Sequence, residues 1–156
     1  MNVIAAPDQT DLTAQARGFT AVELLIVMAV MALLAALAIP SYQSAIRKSR
    51  RSDATSAIAT LMQAQERYRA ASSAYAAALA DLPASDTSAN GYYALSVTGT
   101  PTATSYALRA MAVTGKSQIS DSGCQMLTVA VSNGQFTYGS GNASGTANAT
   151  DSCWAK

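Results

Sequence analysis

The stretch of sequence that decides the fold is residues 18–43, GFTAVELLIVMAVMALLAALAIPSYQ. Its run from Phe19 to Ile39 is apolar apart from Thr20 and Glu23. As an α-helix this run would be about 31 Å long, which matches the roughly 30 Å hydrocarbon core of a bilayer. A carboxylate at membrane depth is costly and usually functional, so the role of Glu23 governs the interpretation of the chain.

The composition of the 156-residue chain narrows the functions open to it. Its formal net charge of +1 gives no general attraction to nucleic acid. It has no histidine, which removes the commonest general base and metal ligand. The sequence also shows no Gly-rich phosphate loop, acidic dyad or metal-ligand cluster. We therefore expect a protein that is not an enzyme, with no catalytic residue, no cofactor and no metal.

The segment Gly18-Phe19-Thr20-Ala21-Val22-Glu23 resembles the class III signal of type IV prepilins. In that family a glycine ends a polar leader, phenylalanine usually follows, and the fifth mature residue is glutamate. The resemblance implies a leader over residues 1–18, cleavage between Gly18 and Phe19, and N-methylation of Phe19. Pro40 matches a proline that family members often carry, and a kink in the helix is expected there.

The resemblance also implies a role for Glu23 in assembly. In pilin-like filaments the proposed partner of this acid is the terminal amine of a neighbouring subunit, which sets the axial register. An isolated glutamate in hydrocarbon costs on the order of 3 kcal/mol, which favours such pairing. Judged by its position alone, Glu23 could instead snorkel to the membrane interface.

Beyond Pro40 the chain keeps helical periodicity. Apolar residues recur at spacings of four and three, typical of an amphipathic helix; they are Ala54, Ile58, Leu61 and Tyr68, with Gln65 in register and Ala57 and Met62 beside them. We predict one helix over about 19–78, with a transmembrane or filament-core part over 19–40. The amphipathic part and its exit cover 41–82, with a stop signal at Leu82-Pro83.

Residues 83–156 carry four short β-like runs. They are Tyr92–Val97, Tyr106–Val113, Leu127–Val131 and Gln135–Tyr138, and Asn133-Gly134 between the last two is a strong hairpin signal. We predict an α+β fold in which the long N-terminal helix packs on an antiparallel head of about four strands, as in type IV pilins. Tyrosines 92, 93, 106 and 138 are expected to pack in the sheet.

Cys124 and Cys153 are the only two cysteines, and they bracket the last two strands and a low-complexity segment. They could be two unrelated buried thiols, but a disulfide is the simpler use and implies an oxidising compartment. The pattern GCQMLTV, NGQFTYG and CW at residues 123–154 also resembles the C-terminal end of PilE-like minor pilins.

The basic run Arg47–Arg51, RKSRR, disagrees with the cysteines about the compartment of the residues that follow the apolar run. The positive-inside rule favours a cytoplasmic position for it, whereas the prepilin signal and the cysteines favour export. We expect a single pass through the bacterial inner membrane with the C-terminus periplasmic, and later an extracellular pilus. The run is interpreted as a solvated helix face near lipid headgroups, with contact to acids of neighbouring subunits as the alternative.

The resemblance implies a structural subunit of a type IV pilus, or fimbrium. This minor pilin would act in pilus assembly and thereby in twitching motility, cell adhesion or DNA uptake. Its partners would be other pilin subunits, the prepilin peptidase and methyltransferase, the inner-membrane assembly platform and, before assembly, membrane lipid. Direct nucleic-acid binding is not expected, because outside the helix and the leader only Arg109, Lys116 and Lys156 are basic.

Two other functions fit part of the sequence. A type II secretion pseudopilin would share the N-terminal signal, although the disulfide-closed loop favours a pilin. A secreted binding domain would be cut after Ala38 by ordinary signal peptidase. The N-terminus of the mature chain distinguishes the last from the others.

Overall fold

The computed structural model describes residues 18–148 and 153–154. Its elements are α1 (Ala21–Ala71), β1 (Tyr93–Thr98), β2 (Ser105–Ala112), β3 (Met126–Ser132) and β4 (Gln135–Gly141). Short 3-10 turns lie at Leu79–Asp81 and Ser117–Ser120. The fold is α+β, with the long N-terminal helix packed on a four-stranded antiparallel sheet, as predicted.

The chain divides into two compact units, Met1–Ile39 and Pro40–Lys156. In the first unit every described residue is exposed within the chain. By length and composition α1 is apolar enough to cross a membrane, with a mean hydropathy of 2.8 over its most apolar window. The predicted leader lies almost entirely outside the described residues. Pro40 lies inside α1 without ending it, and the kink expected there stays a prediction.

The sheet is a simple meander in the order β1-β2-β3-β4, and each neighbouring pair is antiparallel. Asn133 and Gly134 join β3 to β4 with φ angles of 51° and 77°. Two consecutive positive φ values are what a type I′ hairpin turn requires, and asparagine and glycine adopt them most readily. The predicted hairpin is therefore confirmed.

The core lies between one face of the sheet and the second part of α1. Opposed residues of an antiparallel pair share a face, so Tyr93, Leu108 and Val129 point to the same side as the helix. From α1 the buried apolar residues are Ala54, Ile58, Leu61 and Ala64, with Met62 and Tyr68 packed at the edge. The predicted helix stripe is confirmed.

The C-terminal end of α1 differs from the prediction. The helix ends at Ala71. Beyond this end, the side chain of the fully buried Gln65 forms hydrogen bonds with both the amide and the carbonyl of Ala76. Its Nε2 donates to the Ala76 carbonyl at 3.0 Å, and its Oε1 accepts from the Ala76 amide at 2.9 Å. These bonds hold the chain folded back on the helix. The predicted end at about 78, with a stop at Leu82-Pro83, is therefore wrong.

Candidate functional site

The structure places Glu23 in a reciprocal cap at the start of α1. Its Oε2 accepts hydrogen bonds from the Thr20 amide at 2.8 Å and from the Thr20 hydroxyl at 3.0 Å. In return, the Glu23 amide donates to the Thr20 hydroxyl at 3.2 Å. This arrangement is a capping box, which satisfies amide groups that no helical carbonyl can reach. The Thr-x-x-Glu spacing signals it, and the sequence prediction for Glu23 overlooks it.

An open apolar surface surrounds this cap. Phe19, Glu23, Leu24, Ile26 and Val27 line a shallow groove, and the side chain of Phe19 is 87% exposed. The carboxylate therefore lies on the same surface as the residue that would carry the mature terminal amine. This is the surface that pairing with a neighbouring subunit would require.

A second cluster joins α1 to the head around Asp121. Arg51 donates to this carboxylate through Nε at 2.7 Å and Nη2 at 2.9 Å. Gln118 Nε2 donates to Asp121 Oδ2 at 2.8 Å and to the Arg47 carbonyl at 3.2 Å. The hydrogen bond that Arg51 donates to Asp121 raises the pKa of Arg51. Part of the basic run therefore pairs within its own chain, which neither interpretation of that run anticipated.

Asp53 supports the same junction from the other side. Its Oδ1 accepts from the Asn90 amide at 3.2 Å and from the Asn90 side chain at 3.0 Å. Beside it Tyr93 is fully buried, and burial raises its pKa to about 12. Among the described residues no group of His, Cys, Asp and Glu could hold a metal ion. The chemistry of this cluster is structural, because its charges connect α1 to the segments before β1 and between β2 and β3.

The remaining basic residues of the run lie on an accessible surface. The guanidinium of Arg50 sits 4.8 Å from the centre of the Tyr92 ring, a cation–π contact, and its Nη1 contacts the Ser117 hydroxyl. Beside it is a pocket of about 330 Å³, which we call the basic pocket; its lining residues are Gln43, Ile46, Arg47, Arg50, Ser117 and Ser120.

The C-terminal end is closed by a disulfide between Cys124 and Cys153, as predicted. Trp154 anchors the same end, since its Nε1 donates to the Gly139 carbonyl at 2.8 Å and its ring packs on Tyr138 at 4.8 Å. Asn148 lies in the closed loop and donates to the Gly123 carbonyl and the Ser140 hydroxyl. The loop therefore has side-chain anchors in addition to the covalent link.

The four tyrosines expected in the sheet have different surroundings. Tyr93 and Tyr106 are buried in the core, which confirms the prediction for them. Tyr92 is half-buried beneath Arg50, and Tyr138 remains 45% exposed beside Trp154. Tyr138 and the exposed Phe136 share the helix-facing side of the sheet, but edge strand β4 lies at its margin.

A long, partly unpacked apolar helix on a four-stranded antiparallel head defines a class of protein, the type IV pilin-like subunit. The family described as type IV minor pilin ComP, DNA uptake sequence receptor, matches residues 40–128. This range is more than half of the 156 residues, and the chain belongs to this family of type IV minor pilins. A comparison with curated proteins found no match.

The match confirms the predicted minor pilin, which is a structural class of protein. The PilE-like subtype rests on the C-terminal pattern and stays a prediction. The matched range includes neither Gly18–Glu23 nor Cys153.

Proposed function

We propose that the protein is a structural subunit of a type IV pilus that is processed as a prepilin. The observation that carries this proposal is the contrast along α1. Leu25, Leu33 and Leu37 are 69%, 71% and 78% exposed, whereas Ile58 and Leu61 are buried. Large apolar side chains without partners inside the chain need lipid or other protein around them. A pilus subunit meets both, first in the inner membrane and then in the filament core.

The proposed maturation follows from the prepilin signal. A prepilin peptidase cleaves between Gly18 and Phe19, and the new amine of Phe19 is methylated. The amine still carries a positive charge and can pair with Glu23 of a neighbouring subunit. The capping box holds the carboxylate at the first turn of α1, close to the axial position of its own chain's terminus. Pairing between subunits would then fix their axial stagger.

The proposed location is the inner membrane, with residues 40–156 on the periplasmic side, and then the extracellular pilus. The disulfide between Cys124 and Cys153 supports an oxidising compartment. Membership in a type IV minor pilin family favours a pilus over a type II secretion pseudopilus. The subunit would act in pilus assembly, and twitching motility and adhesion would depend on it indirectly.

Substitutions at Glu23 test this function, and the capping box allows two effects to be separated. Glu23→Gln keeps an acceptor for Thr20 but removes the charge, whereas Thr20→Ala weakens the cap and keeps the charge. We expect the charge-neutral variant to be processed normally yet to be lost from sheared pili, as judged by immunoblot. The Thr20→Ala chain should still enter the filament.

Glu66→Gln makes the same chemical change in the second part of α1 and is the matched control, because among the described residues only Tyr75 and Tyr106 donate to the Glu66 carboxylate. It should enter pili as the unaltered chain does. Equal incorporation of the Glu23→Gln chain would contradict the proposed register role. Normal surface pili that never contain the unaltered protein would contradict the proposed function as a whole.

A second candidate function is the recognition of DNA for uptake, favoured by the description of the matching family. Outside the helix and the leader, the sequence has too few basic residues for a basic stripe on the head. The structure adds Arg50, which lies against Tyr92 and Ser117 of the head. A labelled duplex carrying a sequence enriched in the host genome, compared with a scrambled duplex, tests this candidate by fluorescence anisotropy.

A receptor should prefer the enriched duplex by about a thousandfold, with affinity falling steeply as salt rises. A subunit with no direct role in DNA recognition should bind both duplexes equally and weakly.

A further inference from the structure

The basic run leaves several positive charges without acidic partners. Among the described residues the only ion pair joins Arg51 and Asp121. Arg47, Lys48 and Arg50 therefore have no carboxylate within ion-pair distance in that part of the chain, and Lys116 precedes the Ser117 of the basic pocket. Clustered cations without acidic partners form a surface that attracts anions.

One of these cations is already fixed in place. Arg50 packs over the Tyr92 ring at 4.8 Å and contacts the Ser117 hydroxyl. Both contacts are with neutral groups, so they orient the guanidinium and leave its charge available. Because this side chain is already ordered, an anion that binds here causes little further loss of conformational entropy, which favours specific binding over diffuse attraction.

The chemistry of the basic pocket suits a phosphate group. Arg47 and Arg50 supply guanidinium donors, and Ser117, Ser120 and Gln43 supply hydroxyl and amide donors. Carboxylates are absent from its lining, and its volume of about 330 Å³ exceeds what a phosphate group alone requires. Guanidinium groups bind phosphate oxygens in a bidentate manner. Ile46 adds an apolar edge, which suits an amphiphile.

The position of the pocket in the sequence indicates where the phosphate comes from. Arg47 follows Ile39, the last residue of the apolar run, by eight positions within α1. At about 1.5 Å per residue, eight helical residues span roughly 12 Å. Basic residues this close to a membrane span meet the headgroup region, where anionic lipids attract them.

We propose that the basic pocket binds the phosphate of an anionic phospholipid headgroup while the subunit is held in the membrane. This inference rests on the proposed function, because it requires a membrane-inserted precursor of the filament. It assigns Arg47 and Arg50 a role on the exported side, which the positive-inside rule does not provide. Leaving the membrane for the filament would then break this contact.

Native mass spectrometry of the full-length chain in neutral detergent tests the proposal. Phosphatidylglycerol and zwitterionic phosphatidylcholine are titrated in parallel, and bound lipid is counted. The unaltered chain should prefer phosphatidylglycerol. The Arg47→Gln/Arg50→Gln double variant should bind it about thirtyfold more weakly, since each basic residue near an anionic surface contributes about a fivefold change.

The matched control is Arg67→Gln/Arg109→Gln, which removes two positive charges that lie outside the basic pocket. Its affinity for phosphatidylglycerol should stay within about twofold of the unaltered chain. An equal loss in both double variants would overturn the proposal, because it would show attraction by net charge alone. The mass of the intact disulfide and the far-UV circular dichroism spectrum verify folding.

A second variant and two competitors complete the test. The Ser117→Ala/Ser120→Ala variant keeps every charge. Its affinity for phosphatidylglycerol should fall by about threefold or more, because the proposed site uses these hydroxyls to bind the phosphate. Inorganic phosphate as effective as phosphatidylglycerol, mole for mole, would overturn the lipid assignment in favour of free phosphate. A mixed-sequence DNA duplex that displaces the lipid completely at equimolar concentration would overturn it in favour of nucleic acid.

Processing after Gly18 and incorporation into pili are scored separately. Normal incorporation together with no preference for anionic lipid would overturn this inference and leave the proposed function standing. If the unaltered chain is not cleaved after Gly18, the result would instead contradict the proposed function.

Discussion

The two parts of α1 differ both in apolar content and in their surroundings within the chain. The part before Pro40 has no buried residue, and Leu33 is 71% exposed there. The part after Pro40 buries one face against the sheet, and Leu61 is 1% exposed. The same helical backbone therefore carries a segment for an environment outside the chain and a segment for its own core. Apolar side chains without internal partners indicate the first kind.

The largest stability effect should come from the disulfide, and it should be confined to the second part. Replacing Cys124 and Cys153 by serine removes a link between residues 29 positions apart. The chain-entropy relation gives a cost of roughly 3–4 kcal/mol in the free energy of unfolding. Urea denaturation of the full chain in detergent measures it. Unchanged partition of the variant into the membrane fraction is expected, and its loss would show that the two parts depend on each other.

A pair of leucine substitutions compares the two parts directly. Leu61→Ala should lower the free energy of unfolding by about 3 kcal/mol, because it opens a cavity in a packed core. Leu33→Ala should change it by less than about 0.5 kcal/mol, because the Leu33 side chain is 71% exposed within the chain and its truncation opens no cavity. Both values come from the same urea titration. Equal effects of the two substitutions would contradict the contrast between the parts.

The ion pair between α1 and the head should contribute less. Asp121→Asn weakens two hydrogen bonds from Arg51 and one from Gln118. From the typical contribution of hydrogen bonds to charged groups, we expect the free energy of unfolding to fall by about 2 kcal/mol. A double-mutant cycle with Arg51→Gln isolates the pair, and a coupling energy near zero would mean that the contact has no stabilising role.

The last effect is confined to alkaline pH. Burial raises the pKa of Tyr93 to about 12, against roughly 10 for an exposed tyrosine. The folded chain therefore favours the neutral phenol, and this stabilisation is complete below pH 10 and is lost as pH rises through 12. Tyr93→Phe should make the urea midpoint less dependent on pH in this range.

Burial also raises the pKa of Tyr106, so some dependence should remain in the Tyr93 variant. A profile identical to that of the unaltered chain would contradict the role given to Tyr93.

Local patterns in the sequence predicted most of the fold. The helix stripe through Ile58 and Leu61, the Asn133-Gly134 hairpin and the Cys124–Cys153 link each depend on residues whose spacing is informative. The missed contacts join residues that no local pattern relates. Gln65 captures Ala76 and shortens the helix, and Arg51 meets an acid 70 positions away. No helix or strand periodicity encodes such pairs.

The candidate site likewise has residues that the sequence predicted and residues that it did not. Gly18, Phe19 and Glu23 were found by the resemblance of a short motif, whereas the capping box was visible in the spacing of Thr20 and Glu23 but overlooked. The basic pocket could not have been predicted, because the fold brings Ser117 and Ser120 beside Arg47 and Arg50. Surface sites assembled from distant segments require the structure.

The most direct test of the account is the N-terminus and intact mass of the protein purified from its native host, measured with and without reduction. We expect a chain that begins at methylated Phe19 and gains two hydrogens on reduction. A chain that begins at Ile39 would contradict it, because the apolar segment would then be a discarded signal and Glu23 would have no part in a filament.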